Sequence, residues 1–443
     1  MGGVKAAGMS VGLRPPALIL PETAAVRWTS FVKAIREPEV NWPAQILERP
    51  VIAAAVGGRV MALVADPEAA RTILAGSEED FPKWRIYDRV VSRGVGRNSL
   101  SGLEGERWRA QRRVFGAFFR PERLAASAPA YRNAAARAVD GWAAVGGEVR
   151  LDAGLEMTRI TLDAIWRIVF GTRFDQSCPA LISVAGLVYA ALQRGDLDEA
   201  SRRLDALARA PLGEARREGG AAGNPFVRLG SGEGAGAPDA LSESELFDNA
   251  RLFLRAGQET TSLTLTWALW LVGQDLETQG RVREEIDQVA GAGPIEPEHV
   301  ERLVFTGQVL HEVMRLYPLP VVVRQARHEL VVAGERLPPG SILAVCIYAL
   351  HRHRGLWEDP DAFRPDRFQP GSPEPRHRFA YLPFGAGRHS CVAATLGWAE
   401  AVTVLATILK SFRVRTDLAV PVRPRMAITL RPDRETAIVL QPR

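Results

Sequence analysis

The hydrophobic and polar positions divide the chain into segments of two periodicities. From Val51 to Val64 β-branched residues flank Gly57-Gly58, which predicts a hairpin. Asp66-Pro67 then opens a helix, with proline at its first position. Trp108 and Arg112 lie four apart in the next helical stretch and so share one face. From Ala125 to Phe170 the pattern is alanine-rich, amphipathic and helical, and one or two helices follow over 176–210. Ser242-Glu243-Ser244-Glu245 is a capping box that opens the longest helical run, Glu243 to Gln274. At 1.5 Å per residue that run spans roughly 45 Å. Further helices reach Leu316, and an apolar helix is predicted from Val392 to Ile408. Short strands are predicted at Val321–Leu330, Glu335–Ile347, Ala427–Leu430 and Thr436–Leu440.

The remaining stretches are connections. Residues 1–50 read as an N-terminal arm with six prolines and one helix near Ala24–Ile35. Phe81–Leu103 reads as a loop, and 211–241 as a flexible glycine-rich loop. No internal repeat is found. The expected fold is mainly α with smaller β-sheets, an α+β single domain over 1–443.

Composition narrows the function. The chain has 443 residues, 47% hydrophobic and 24% charged, with a net charge of +5. Lysine occurs only at Lys5, Lys33, Lys83 and Lys410, and no dense basic run carries interleaved aromatics, so no nucleic-acid partner is expected. Cys178, Cys346 and Cys391 have no metal-cluster spacing, which argues for a reducing, cytoplasmic setting. The apolar run Ala17–Leu20 is too short to cross a bilayer, and no other segment qualifies as a membrane span.

The most informative stretch is Phe384-Gly-Ala-Gly-Arg-His-Ser-Cys391, a glycine-rich loop that presents one sulfur before a helix. Backbone N–H groups and the helix dipole favour a thiolate there. With no second cysteine nearby, it suggests one metal–sulfur bond, as in haem iron with a proximal cysteine. In the long helix, Ala256-Gly257-Gln258-Glu259-Thr260-Thr261 places poor helix formers mid-run. A threonine hydroxyl bonding the carbonyl four residues back would open a groove there, beside an acid–alcohol pair. Glu312 and Arg315 lie three apart on one helix face.

Phe384, Gly387, His389 and Cys391 together resemble the haem-binding signature of the cytochrome P450 family, with Ala393 where the family usually has glycine. The resemblance extends over nearly the whole chain beyond residue 50. The Ala256–Thr261 segment resembles the family's oxygen-activation motif, and Phe363-Arg364-Pro365-Asp366-Arg367-Phe368 its Phe-x-Pro-Glu/Asp-Arg-Phe motif. The resemblance implies a haem-thiolate monooxygenase of the soluble bacterial type. Its fold would be a triangular prism with haem b between the long central helix and the helix after Cys391. Cys391 would bind the iron and favour O–O cleavage. His389, Arg112, Arg324 and Trp108 would anchor the haem propionates, with Ala256, Phe384 and Gly387 also against the cofactor. Glu259 and Thr260 would deliver the protons that turn one oxygen atom to water. Glu312, Arg315 and Arg367 would form a structural network behind the cysteine loop. Electrons would come from NAD(P)H through a separate ferredoxin and ferredoxin reductase, and the protein is expected to be a monomer. Leu252, Val321 and Val322 would line the substrate pocket. Arg255 either faces that pocket and pairs with a substrate carboxylate, or points away into a salt bridge. A peroxide-driven enzyme on the same fold and a non-enzymatic haem carrier or gas sensor are the alternatives.

Overall fold

The computed structural model describes residues 13–22, 42–85 except 57, 96–170, scattered positions over 187–226, and 241–443 except 375, 376, 420 and 427. The helix expected at Ala24–Ile35 lies outside the described residues. So do most of 176–210, nearly all of the glycine-rich stretch 211–241, and the middle of the Phe81–Leu103 loop.

The hairpin is present as β1 (Val51–Val56) and β2 (Arg59–Val64), paired Val51 to Val64 through Val56 to Arg59. The next helix, α1 (Pro67–Ala75), carries proline in its first turn, and Asp66 caps it by accepting from Ala69 N–H. The helices α2 (Gly105–Phe118) and α3 (Pro121–Ala143) follow. Where one helical run was expected over 125–170, a strand β3 (Val149–Asp152) separates α3 from α4 (Ala153–Phe170). The break falls at Gly146-Gly147, where Gly146 takes φ +74°. The long helix is α5 (Glu243–Val272), with both reciprocal bonds of the capping box between Ser242 and Glu245. Despite Gly257 and the threonines it runs unbroken, because α4 packs along it and supplies the burial that local propensity lacks. Two more helices, α6 (Leu276–Ala290) and α7 (Val304–Leu316), lead into the β-region.

Each of the two strands expected between 321 and 347 is divided. The pieces are β4 (Val322–Gln325), β5 (Leu330–Val332), β6 (Glu335–Leu337) and β7 (Ile342–Val345). Gly334 and Gly340, both at φ +87°, turn the chain between them. The principal sheet has the order β1-β2-β7-β4, with β2 and β7 parallel. After α8 (Ala394–Ser411), which starts two residues later than expected, come β8 (Phe412–Thr416), β9 (Pro424–Met426), β10 (Leu430–Pro432) and β11 (Ala437–Pro442). Of the strand expected over Ala427–Leu430, residue 427 lies outside the described residues, 428 and 429 fall between β9 and β10, and Leu430 opens β10; β8 was not anticipated. β11 pairs with both β3 and β8.

The main core gathers apolar faces of α2, α3, α4, α5, α7 and α8. Trp267 of α5 is fully buried, stacks on Tyr317 with ring centroids 3.9 Å apart, and donates its indole N–H to Leu430 O. That bond ties the C-terminal hairpin to the long helix.

Candidate functional site

A cavity of about 480 Å³ lies between α5 and the segment that links the Cys391 loop to α8. The loop is held by its own backbone: Gly385 N–H donates to Leu382 O, and Cys391 N–H to Phe384 O at 2.9 Å. Gly385 and Gly387 take φ +69° and +70°. At Gly387 a Cβ would meet Leu74 O of α1 at 2.0 Å, so only glycine lets the loop lie against that helix. From α2, Arg112 donates to Ser390 O at 2.8 Å. The result presents the Cys391 thiol to the cavity. The sulfur is open to the cavity yet enclosed by protein, and burial raises its pKa, opposed by the Ala393 N–H and the Arg112 guanidinium.

Basic side chains converge on one side. Lys83, Arg112, Arg324 and His389 all line the cavity. The His389 ring lies 4.2 Å from that of Trp108, and its Nε2 lies 3.1 Å from Glu78 Oε1. Burial, together with the charges of Lys83, Arg324, Arg112 and Arg388, lowers His389 to about 3, so it is neutral at pH 7. Lys83 was missed by sequence reasoning. Its signal was rarity, as one of four lysines in the chain, and its Nζ donates to Ser101 O and Leu103 O at the cavity edge.

From α5, Leu252, Ala256, Gly257, Thr260 and Thr261 reach the cavity wall. The Thr260 hydroxyl donates to Ala256 O at 2.9 Å, four residues back, and keeps its lone pairs free to accept. Glu259 is not in that wall. It is 5% exposed and faces a separate small space lined also by Gln258, Ser262 and Arg431. Its Oε1 accepts from Thr429 Oγ1 at 2.7 Å and from Arg431 at 2.6 Å. Arg255 is buried and stands 3.8 Å from Glu259 Oε2 rather than in the cavity wall. Of the two orientations open to it from sequence, the salt bridge is the one adopted. Val322 and Phe384 line the cavity, whereas Val321 packs against the main core and Gly387 faces α1.

Glu312, Arg315 and Arg367 are brought together behind the loop, each with a fully buried side chain. Arg315 donates to both Glu312 oxygens at 2.7 and 2.8 Å, and Arg367 to Oε1 at 3.1 Å. Burial would raise the Glu312 carboxyl, but Arg315 and Arg367 overcome it and hold it below its ordinary range. His351 completes the connection by accepting from Leu382 N–H at 2.7 Å.

The donor set fits haem: one thiol opening on a largely apolar cavity, an N–H directed at it, and cationic side chains along one side for anionic groups. Comparison with known proteins agrees. The Cytochrome P450 family profile matches residues 46–191 and 229–438. Cyclooctatin synthase of Streptomyces melanosporofaciens is 28% identical over 402 residues, covering 85% of each chain. Cyclooctat-9-en-7-ol 5-monooxygenase of the same organism is 29% identical over 372 residues, covering 80% of each. The 11-oxo-beta-amyrin 30-oxidase of Glycyrrhiza uralensis is 26% identical over 411 residues, covering 85% of this chain and 78% of the relative. The chain belongs to the cytochrome P450 family and has its α+β fold. It is a monooxygenase of that family, and membership implies haem iron, redox partners and a hydrophobic substrate. Relatives from both Streptomyces and plants match comparably, so similarity does not single out the bacterial type. Among the described residues no helix is long and apolar enough to cross a membrane.

Proposed function

We propose that this P450 inserts one oxygen atom of dioxygen into a C–H bond or double bond of a hydrophobic small molecule. The carrying observation is that one cavity holds both the Cys391 thiol and the Thr260 hydroxyl. Haem b, bound there, supplies the oxygen-activating chemistry. Cys391 is its iron ligand. Arg112, Arg324 and Lys83 take its carboxylates, and neutral His389, braced by Trp108, donates a hydrogen bond to one of them. Thr260 accepts and passes a proton at its hydroxyl oxygen. Leu252 and Val322, with Phe253 and Leu430, give the substrate an apolar wall. The relatives' names, an alkenol oxidised by one and an oxo-amyrin by another, favour a largely hydrocarbon skeleton. Electrons pass from NAD(P)H through a ferredoxin and its reductase to a monomeric, cytoplasmic enzyme.

The test is the absorption spectrum of the reduced protein with carbon monoxide. A red-shifted Soret band, lost in Cys391→His, supports thiolate ligation; a band typical of histidine-ligated haem in the unaltered protein refutes it. Turnover reconstituted with a ferredoxin and reductase, but absent with hydrogen peroxide alone, supports the electron route.

A further inference from the structure

The stretch 96–103 supplies part of the cavity wall, through Leu100 and Ser101, yet it contains no helix or strand. Such a loop must find partners for the backbone N–H and C=O groups it buries. Within it, Ser99 O accepts from Gly102 N–H at 2.9 Å and from Leu103 N–H at 3.1 Å, and Ser99 Oγ donates to Gly96 O at 2.8 Å. Further bonds come from outside the loop. Asn98 N–H donates to Asp248 Oδ2 of α5 at 2.9 Å, and Leu100 N–H to Asn249 Oδ1 at 2.9 Å. Asn98 O accepts from Gln111 Nε2 of α2 at 2.8 Å. Lys83 holds Ser101 O and Leu103 O from the other end.

The two α5 residues are placed for this hold and do not themselves line the cavity. Asn249 is fully buried, and both ends of its amide are used. Its Oδ1 holds the loop, while Nδ2 donates to Gln111 Oε1 at 3.0 Å and to Glu245 O at 2.7 Å. Asp248 is buried so close to the loop that a Cβ on Gly96 would stand 2.1 Å from its Cγ and Oδ1. Gly96 also takes φ +91°, so glycine alone suits that approach. Leu252 and Phe253 follow Asp248 and Asn249 by four residues, one turn along the same helix faces, and both line the cavity. The clamp therefore sets the gap between the helix wall, Leu252 and Phe253, and the loop wall at Leu100.

We propose that Asn249 and Asp248 are positioning residues for specificity: without touching the substrate, they fix Leu100 and Ser101 as a rigid wall facing α5, and this wall selects hydrophobic skeletons by width. This deepens the monooxygenase reading and rests on it. Asn249 acts so because one planar group offers the loop an acceptor and Gln111 a donor. A side chain lacking both leaves Leu100 N–H unpaired in buried surroundings, and the loop relaxes outward until that group finds water. The cavity then widens at Leu100 while the cysteine loop, held by its own bonds, stays in place.

The experiment compares the haem-loaded protein with Asn249→Leu, a near-isosteric change that removes donor and acceptor together. The ferrous–CO band is recorded first. Its absence from the unaltered protein counts against the monooxygenase reading, whereas its presence in both isolates the question of the clamp. The probes are phenylimidazole and the bulkier biphenylylimidazole, which bind haem iron and project their rings into the cavity. In N249L the ratio of their affinities, read from shifts of the Soret band, moves roughly tenfold in favour of the bulkier probe, while phenylimidazole alone stays within about threefold. A second readout needs no haem: hydrogen exchange at Leu100 N–H quickens roughly tenfold or more in N249L. The double variant with Leu100→Ala separates positioning from general destabilisation. Because Asn249 acts through Leu100, L100A shifts the ratio far less in the N249L background than in the unaltered one. An unchanged ratio, unchanged exchange or full additivity overturns the proposal. If N249L does not fold, Asp248→Ala and Asp248→Asn decide it. The alanine variant moves the ratio in the same direction, and the asparagine variant, which keeps an acceptor for Asn98 N–H, moves it far less; equal effects overturn the proposal.

Discussion

A single missing Cβ sets the position of the cysteine loop. Gly387 combines φ +70° with a 2.0 Å approach of its would-be Cβ to Leu74 O, and a backbone oxygen cannot swing aside. Gly387→Ala should therefore cost about 2 kcal/mol or more, seen as a lowered midpoint in chemical denaturation and weakened haem retention. Glu400 makes a prediction of the opposite kind, read through pH. Its folded pKa, about 8, lies above the ordinary 4.5, so the native state holds a proton that the unfolded chain releases. Its contribution to stability is thus present below pH 4.5 and is lost as pH rises toward 8, by up to ~1.4 kcal/mol per pH unit. The stability difference between E400Q and the unaltered protein should grow in favour of E400Q across that window in denaturant titrations at successive pH values. Cys391, Thr260 and the cationic residues Arg112 and Arg324 were legible as candidates because motif spacing marks them. Glu400 was not, since a lone glutamate in an apolar helix carries no local sign that its neighbours lack a cation.

At the scale of elements, the network behind the loop joins α7 to the segment around Arg367. Glu312 also accepts from Arg364 N–H at 2.8 Å, so one carboxylate satisfies two arginines and a backbone donor. Glu312→Ala would leave both guanidiniums buried without it, at a cost of roughly 3–5 kcal/mol. Thermal denaturation should show a much lowered midpoint or no folded protein, while the double variant with Arg315→Met should recover part of the loss. The long helix was predictable to within two residues at its C-terminus because its capping box and length are local features. The strands were less so. Val321–Leu330 has enough β-branched residues for one strand, but β7 offers pairing only for Val322–Gln325. Likewise β8 exists because β11 pairs with it, from a partner that begins 20 or more residues away in sequence.

For the whole molecule, β11 is a keystone, flanked by β3 from the first half of the chain and β8 from the second. Removing residues 436–443 would expose two strand edges and the buried Ile438 and Leu440. The truncated protein should lose its cooperative thermal transition and most of its solubility. The cavity makes a prediction about ligands. With Arg255 committed to Glu259 and not in the cavity wall, no carboxylate subsite is expected there. A fatty acid and its methyl ester should therefore shift the absorption spectrum with affinities within about threefold of each other. Much tighter binding of the acid would show that Arg255 can be drawn into the cavity.

The sequence by itself determined the α+β class, the thiol-bearing loop, the capped long helix and the residues of the buried Glu312 network. The first three are written in short-range terms, a glycine-rich loop, cap residues and helical spacing, while the network residues follow from the resemblance to the family's motifs. It could not show that Glu259 faces away from the cavity, that Arg255 joins it there, or that Lys83 and Glu400 stand in the cavity wall. Those outcomes depend on Arg431, Trp267, Thr261 and the β9–β10 turn meeting across more than a hundred residues of chain. A side chain's protonation and direction follow from the charges and apolar surfaces that tertiary packing brings against it. Local pattern specifies the residue, and only the folded surroundings specify its electrostatics.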